Sequence, residues 1–332
     1  MITIPTTLIL GAGASAEYEF PIARDLQNEM ARFLVDSQKQ QTVSDLLDEL
    51  DITASPKDIK KFVGLMEESG QESIDTFLEC GEYGHYTNLV RFAIAFVLLQ
   101  HERKSISLFR SFKDHFYKSI RKSMGARKKD FQASKLRVVT FNYDLSFEHF
   151  FNQAVASSYF AGDAIKAAEF IDGIPIVHVH GTLGLLNWMD APSNTSGRKY
   201  GPDTLERVKY AIKKCHDIYI ANDRIKQEQS DRFRKAHEVI FGDNAPSRIV
   251  FLGFGYNSRN IRRLFEAHSE SEIPDMISQF DLTKVYGSAF GLTPRERRQV
   301  NKLFGGRISL GSSSDKCREF LENSLDLEAT DL

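Results

Sequence analysis

The amino-acid sequence reads as an α/β protein built on an open parallel sheet, and three observations carry that reading. A short apolar run, Leu8 to Leu10, breaks into a glycine turn, Gly11-Ala12-Gly13-Ala14-Ser15, which a helix-compatible segment follows. Three further compact runs, residues 136–140, 174–180 and 248–252, each end in a glycine or polar loop. Helical segments separate all four, the alternation that produces parallel strands with functional loops at their carboxyl ends.

The first run and its turn have the form of a strand, turn and helix start that cradle a pyrophosphate on backbone N–H groups. Gly13 would let the main chain approach the ligand without a Cβ in the way, and the positive end of the next helix would favour an anion. Ala16 stands at the third-glycine position of that Rossmann-like pattern. A dehydrogenase half-domain would next supply a strand ending in an acidic residue about 20 positions on. Here Phe20-Pro21 marks a break, and residues 22–35 carry Leu26, Met30 and Leu34 on one helical face instead. Helical patterns continue at residues 43–50, 56–66 (with Pro56 in the first turn), 73–78, 88–101 and 105–120.

Strands resume at residues 136–140, followed by a helix over 145–156 and a strand over 174–180. Residues 185–243 read as mixed helix and loop, with a flexible patch at 191–197. After the run at 248–252 come short strands at 284–286 and 307–310, with a Pro294-initiated helix between them. The acidic tail beyond Asn323 is expected to fray. The predicted organisation is a dinucleotide-binding core at 1–30, 135–184 and 246–312. A helical insertion occupies 31–134, a second helical and loop insertion 185–245, and a C-terminal helix and tail 313–332.

Composition bounds the function. A hydrophobic content of 42% over 332 residues supplies ample core, and a formal net charge of −2 argues against a strongly basic nucleic-acid-binding surface. The basic clusters at 121–129, 259–263 and 295–298 read as solvated helix faces. Cys80, Cys215 and Cys317 are far apart and include no CxxC pair, so neither a disulfide framework nor a cysteine zinc site is indicated, and a cytoplasmic setting is expected. The apolar run at 89–99 is shorter than the roughly 20 residues a bilayer span needs, and reads as core or as an oligomer interface. No basic, apolar leader precedes the first strand.

Polar residues stand where such a sheet places its ligand: Asn142 and Asp144 after one strand, His180 at the end of the next, and Gly253-Phe254-Gly255 after a third. His178 and His180 lie two apart and would share one side of a strand, but no third ligand at metal-binding spacing accompanies them. Asn142 and Asp144 also suit a turn and helix cap.

Five blocks in order, GAGAS at 11–15, Pro21 with Arg24, TFNYD at 140–144, HVHGTLG at 178–184 and LGFGY at 252–256, resemble the sirtuin fold. More narrowly they resemble the prokaryotic sirtuin-like NAD hydrolases of antiphage defence. The resemblance implies a sheet of the sirtuin type with NAD as substrate. Gly11, Ala12, Gly13, Ala14 and Ser15 would form the phosphate cradle, and Arg24 would belong to the cofactor-binding loop. Asn142 would contact the ribose and orient the attacking water, Asp144 would help hold the nicotinamide carboxamide, and His180 would be the catalytic base. Gly253, Phe254 and Gly255 would close over the adenosine half.

Protein-deacylating sirtuins usually carry a four-cysteine zinc ribbon after the catalytic histidine, whereas residues 185–245 hold only Cys215. The expectation is therefore NAD hydrolysis without zinc, in a homo-oligomer that works with a separately encoded partner such as a HerA-type ATPase. A protein deacylase or ADP-ribosyl transferase, and a sensor that binds NAD or ADP-ribose without cleaving it, are the rival readings.

Overall fold

Six strands, all parallel, form one sheet: β1 (Thr6–Leu10), β2 (Leu136–Thr140), β3 (Ile176–His178), β4 (Arg248–Leu252), β5 (Lys284–Gly287) and β6 (Ile308–Leu310). A computed structural model describes residues 1–71, 73–81, 83–111, 113–189, 197–215, 218–220, 227–242, 248–278 and 284–328. The strand order is β3-β2-β1-β4-β5-β6, the doubly wound Rossmann-like order. Leu8 lies in register with Val138 on one side and Val250 on the other, so β1 is the central spine.

Both faces are covered, which is why every residue of β1 and β4 is buried, rather than alternate ones, and why each runs into three or four consecutive apolar residues, Leu8 to Leu10 and Ile249 to Leu252. Leu8, Leu10, Val138 and Val250 pack into a large core formed mainly with the helices of the first insertion. Ile9, Val139, Ile249, Phe251 and Val285 point the other way, into a second core with the Gln227–Phe241, Ser258–Leu264 and Pro294–Leu303 helices. The period-2 alternation of β-strands assigns these two sets.

The insertion is helical as expected, but its division differs. Helices run over Gln40–Glu49, Pro56–Glu68, Ile74–Glu79, Thr87–Arg110, Phe116–Ser123 and Lys128–Gln132. Nothing between His101 and Ser105 breaks a helix, so the expected boundary there is absent and one helix continues to Arg110. Its apolar run, including Val90, Phe92, Ile94 and Leu99, is buried within the chain itself. Ser55 and Asp58 close a capping box before Pro56, which fixes where that helix begins.

Three other expectations change. The expected strand at 174–180 is a strand only over Ile176–His178, because Pro175 has no N–H to give the ladder and the chain turns at Val179. A helix over Ala164–Ile171, capped by the Asp163 carboxylate, follows the Ser146–Tyr159 helix and carried no expectation. The tail does not fray over residues 324–328: Leu325 and Leu327 are buried, Arg248 donates to the Asp326 carbonyl, and Glu328 pairs with the Met1 amino group. The flexible patch at 191–197 lies outside the described residues except for Gly197. Among the described residues no helix is long and apolar enough to cross a membrane.

Candidate active site

After β1 the chain builds β2 and β3 on one side, then crosses to build β4 on the other, so the crevice at the carboxyl ends of β1 and β4 is the topological switch point. Both glycine loops open there. They meet directly: Gly11 N–H donates to the Leu252 carbonyl at 3.0 Å, and Gly13 N–H to the Gly253 carbonyl at 2.9 Å. A Cβ on Gly13 would lie 2.8 Å from the Gly253 oxygen, and one on Gly253 would lie 1.9 Å from the Ala14 nitrogen. Gly253 also holds φ at +57°, in the left-handed region.

This contact revises two sequence expectations. The space Gly13 leaves is filled by Gly253 rather than reserved for a ligand, and the N–H groups of Gly11, Gly13 and Ala14 are all bonded within the protein, the last to the Gly11 carbonyl. The helix after the turn is short, Ala12–Ala16, ending before the longer Ala23–Val35 helix.

A cleft of about 270 Å³ opens beside the two loops. That is near the lower end of the usual range for small-molecule sites. Gly11, Ala12, Ser15, Asn142, Asp144, His180, Phe254 and Gly255 line it, so residues from four separate sequence blocks converge on one rim. Gly13, Ala14, Arg24 and Gly253 are not in its wall: Ala14 is buried, and Arg24 is exposed near the start of its helix.

Asn142 follows β2, and its main-chain N–H donates to Thr140 Oγ1 at 3.1 Å. Its Nδ2 donates to the Gly11 carbonyl at 3.0 Å and to Ser15 Oγ at 2.9 Å. Because the Gly11 carbonyl only accepts, the orientation of the amide is settled, and Oδ1 is the group left to offer a ligand. Ser15 Oγ passes its own hydrogen to Asp144 Oδ2 at 2.7 Å. Asp144 Oδ1 accepts from the Ser146 N–H at 3.1 Å and from the Ser146 hydroxyl. Asp144 thus binds the first residue of the Ser146–Tyr159 helix with one oxygen and anchors Ser15 with the other. Burial pushes its carboxyl above the usual range, opposed by these hydrogen bonds.

His180 lies just past β3, where the turn at Val179 brings it to the rim. Its ring is 5.4 Å from Phe141 and 5.9 Å from Phe233, centroid to centroid. Burial among these rings, reinforced by the charge of Arg263, lowers its pKa to about 4, so the imidazole is neutral at pH 7. His178 packs elsewhere, against Glu148 and the Asn142 carbonyl, so the two histidines do not share an environment as strict alternation predicts. Among the described residues no group of three or more His, Cys, Asp or Glu is arranged to hold a metal.

Several residues of the wall had no role assigned from sequence. Asp75 and Ile74 come from the first insertion, together with Ile94 and Leu98 of the Thr87–Arg110 helix. Nothing in the local pattern distinguishes Asp75 from any acidic residue of an exposed helix. Tyr143 and Asn257 also line the cleft, and both lie within or directly beside recognised blocks, where adjacency was the available signal.

Fold and cleft define a doubly wound, Rossmann-like α/β protein with a cleft at the switch point. Comparison with protein-family models and with curated proteins gives no match.

Proposed function

We propose that the chain is a sirtuin-like NAD glycohydrolase, cleaving NAD to ADP-ribose and nicotinamide. The observation that carries the reading is the convergence of a neutral imidazole, His180, and a fixed asparagine, Asn142, on one cleft at the switch point. Nicotinamide departs as a neutral pyridine, so the reaction needs little acid assistance. It needs a positioned nucleophile and stabilisation of a sugar cation like that of glycoside hydrolysis. Asn142 Oδ1 accepts a hydrogen from the attacking water and orients it, while neutral His180 takes the proton that water loses. Asp144 supports the reading by locking Ser15 and, through Ser15, the Asn142 amide.

Restraint of this activity and its release in antiphage defence, an oligomeric state, and a partner such as a HerA-type ATPase belong to the same proposal. The experiment is to incubate the purified chain with NAD and follow nicotinamide release, alone and with such a partner. Asn142→Ala and His180→Ala are each expected to lower release by about 100-fold or more, the scale of a lost general base or oriented nucleophile. Release that survives both substitutions would remove the proposed roles.

A further inference from the structure

Behind the cleft lies a buried ion pair that the hydrolysis as described does not use. Glu148, in the first turn of the Ser146–Tyr159 helix, places Oε1 2.5 Å from His178 Nε2. His178 Nδ1 lies 3.0 Å from the Asn142 carbonyl oxygen, and since a carbonyl only accepts, Nδ1 carries a hydrogen and donates it. Burial by itself would push the ring's pKa down. The Glu148 charge and hydrogen bond, the Asn142 carbonyl and nearby Asp144 together outweigh burial and hold it above its ordinary value.

Taking such a pair out of water carries a desolvation cost that its attraction barely offsets, so it is an inefficient way to stabilise a fold. Glu148 Oε2 has no hydrogen-bond partner among the described residues, so the carboxylate's hydrogen bonding is directed at His178. The pair has one geometric product: with Thr140 on its N–H and Gly11 and Ser15 on its side chain, Asn142 is held at every polar group except Oδ1. We propose that His178, oriented by Glu148, is a positioning residue that sets Asn142 for its work in the cleft. The activity part of this inference rests on the hydrolase reading above.

The test compares two substitutions in the full chain. His178→Asn keeps an amide donor near the Nδ1 position, facing the Asn142 carbonyl, whereas His178→Gln places its amide toward Glu148 and loses that donor. His178→Gln is expected to lower kcat for nicotinamide release about 10- to 100-fold with KM changed less than about 3-fold, and His178→Asn to recover most of the loss. In parallel, the Asn142 side-chain amide is followed by NMR of the chain labelled with 15N-asparagine, assigned by its disappearance in Asn142→Ala. Its signals should move in His178→Gln and stay near wild type in His178→Asn. Unmoved signals in His178→Gln, or a loss of kcat greater in His178→Asn, would overturn the inference. If the wild-type chain releases no nicotinamide, the hydrolase reading fails, and the NMR comparison still decides the positioning role.

Discussion

His180 differs from a solvated histidine in a respect that matters for catalysis: rings surround it, and among the described residues no carboxylate hydrogen-bonds to its nitrogens to raise its basicity. Its pKa of about 4 leaves it able to accept a proton through the whole neutral range. If it is the base, the acid limb of kcat/KM has its midpoint near pH 4, not near the 6.5 of an ordinary imidazole, as a pH–rate profile would read. A midpoint at 6.5 would mean that another group titrates, or that His180 is more hydrated than its surroundings indicate. The sequence located this residue through the HVHGTLG block, but its neighbours Phe141 and Phe233 lie 39 and 53 residues away along the chain, and no local pattern could supply the environment that sets its charge.

Among the elements, the two glycine loops and the two insertions are each coupled in a way that spacing alone did not disclose. Gly13 and Gly253 read from sequence as ligand-facing glycines, yet they create room for one another. Gly253→Ala is therefore expected to cost about 3 kcal/mol or more in urea unfolding, with strain at the loop contact as the cause. Full stability with weakened nucleotide binding would instead return that glycine to the ligand. The insertions meet through a buried pair, Glu102 of the Thr87–Arg110 helix and Arg198, with Nη2 2.6 Å and Nη1 2.7 Å from its two carboxylate oxygens. Arg198 Nε also donates to the Leu183 carbonyl, which ties the pair to the loop that follows His180. Glu102→Ala strands a buried guanidinium and should cost about 3–5 kcal/mol, whereas Glu102→Met with Arg198→Met should recover much of it. Denaturant midpoints of the single and double variants separate these outcomes. In the sequence both residues belong to charged stretches that look solvated, so their pairing was invisible.

For the whole molecule, the β-branched and apolar strand runs and the glycine punctuation made the parallel sheet legible. Runs buried on both faces need consecutive apolar residues, and Leu8 to Leu10, Val138 to Val139 and Ile249 to Leu252 supply them. Less legible were the features that depend on distant partners, such as the buried Leu325 and Leu327 in a tail that looks polar. Among the described residues, four histidines with shifted pKa values shape the pH response of the fold. Burial lowers His115 and His180 to about 4 and His149 to about 3, so on acidification the unfolded chain takes up protons that the folded chain refuses, and stability falls from pH 6.5 downward. His178 acts oppositely: its raised pKa contributes stability present below 6.5 and lost as pH rises through the folded value. The histidine contribution is thus greatest near pH 6.5, opposed on the acid side by the raised carboxyls of Glu102 and Asp144. His149→Gln should therefore lessen the fall in urea midpoint between pH 6.5 and pH 4, and an unchanged fall would contradict it.

On the proposed reading one cleft binds NAD and delivers water to its glycosidic carbon. The direct measurement is product stoichiometry: the purified chain and its Asn142→Ala variant are mixed with NAD, and nicotinamide and ADP-ribose are quantified together. One of each per NAD consumed by the wild type, and neither from the variant, is the predicted result. Tight NAD binding with no release, or nicotinamide without matching ADP-ribose, would contradict it.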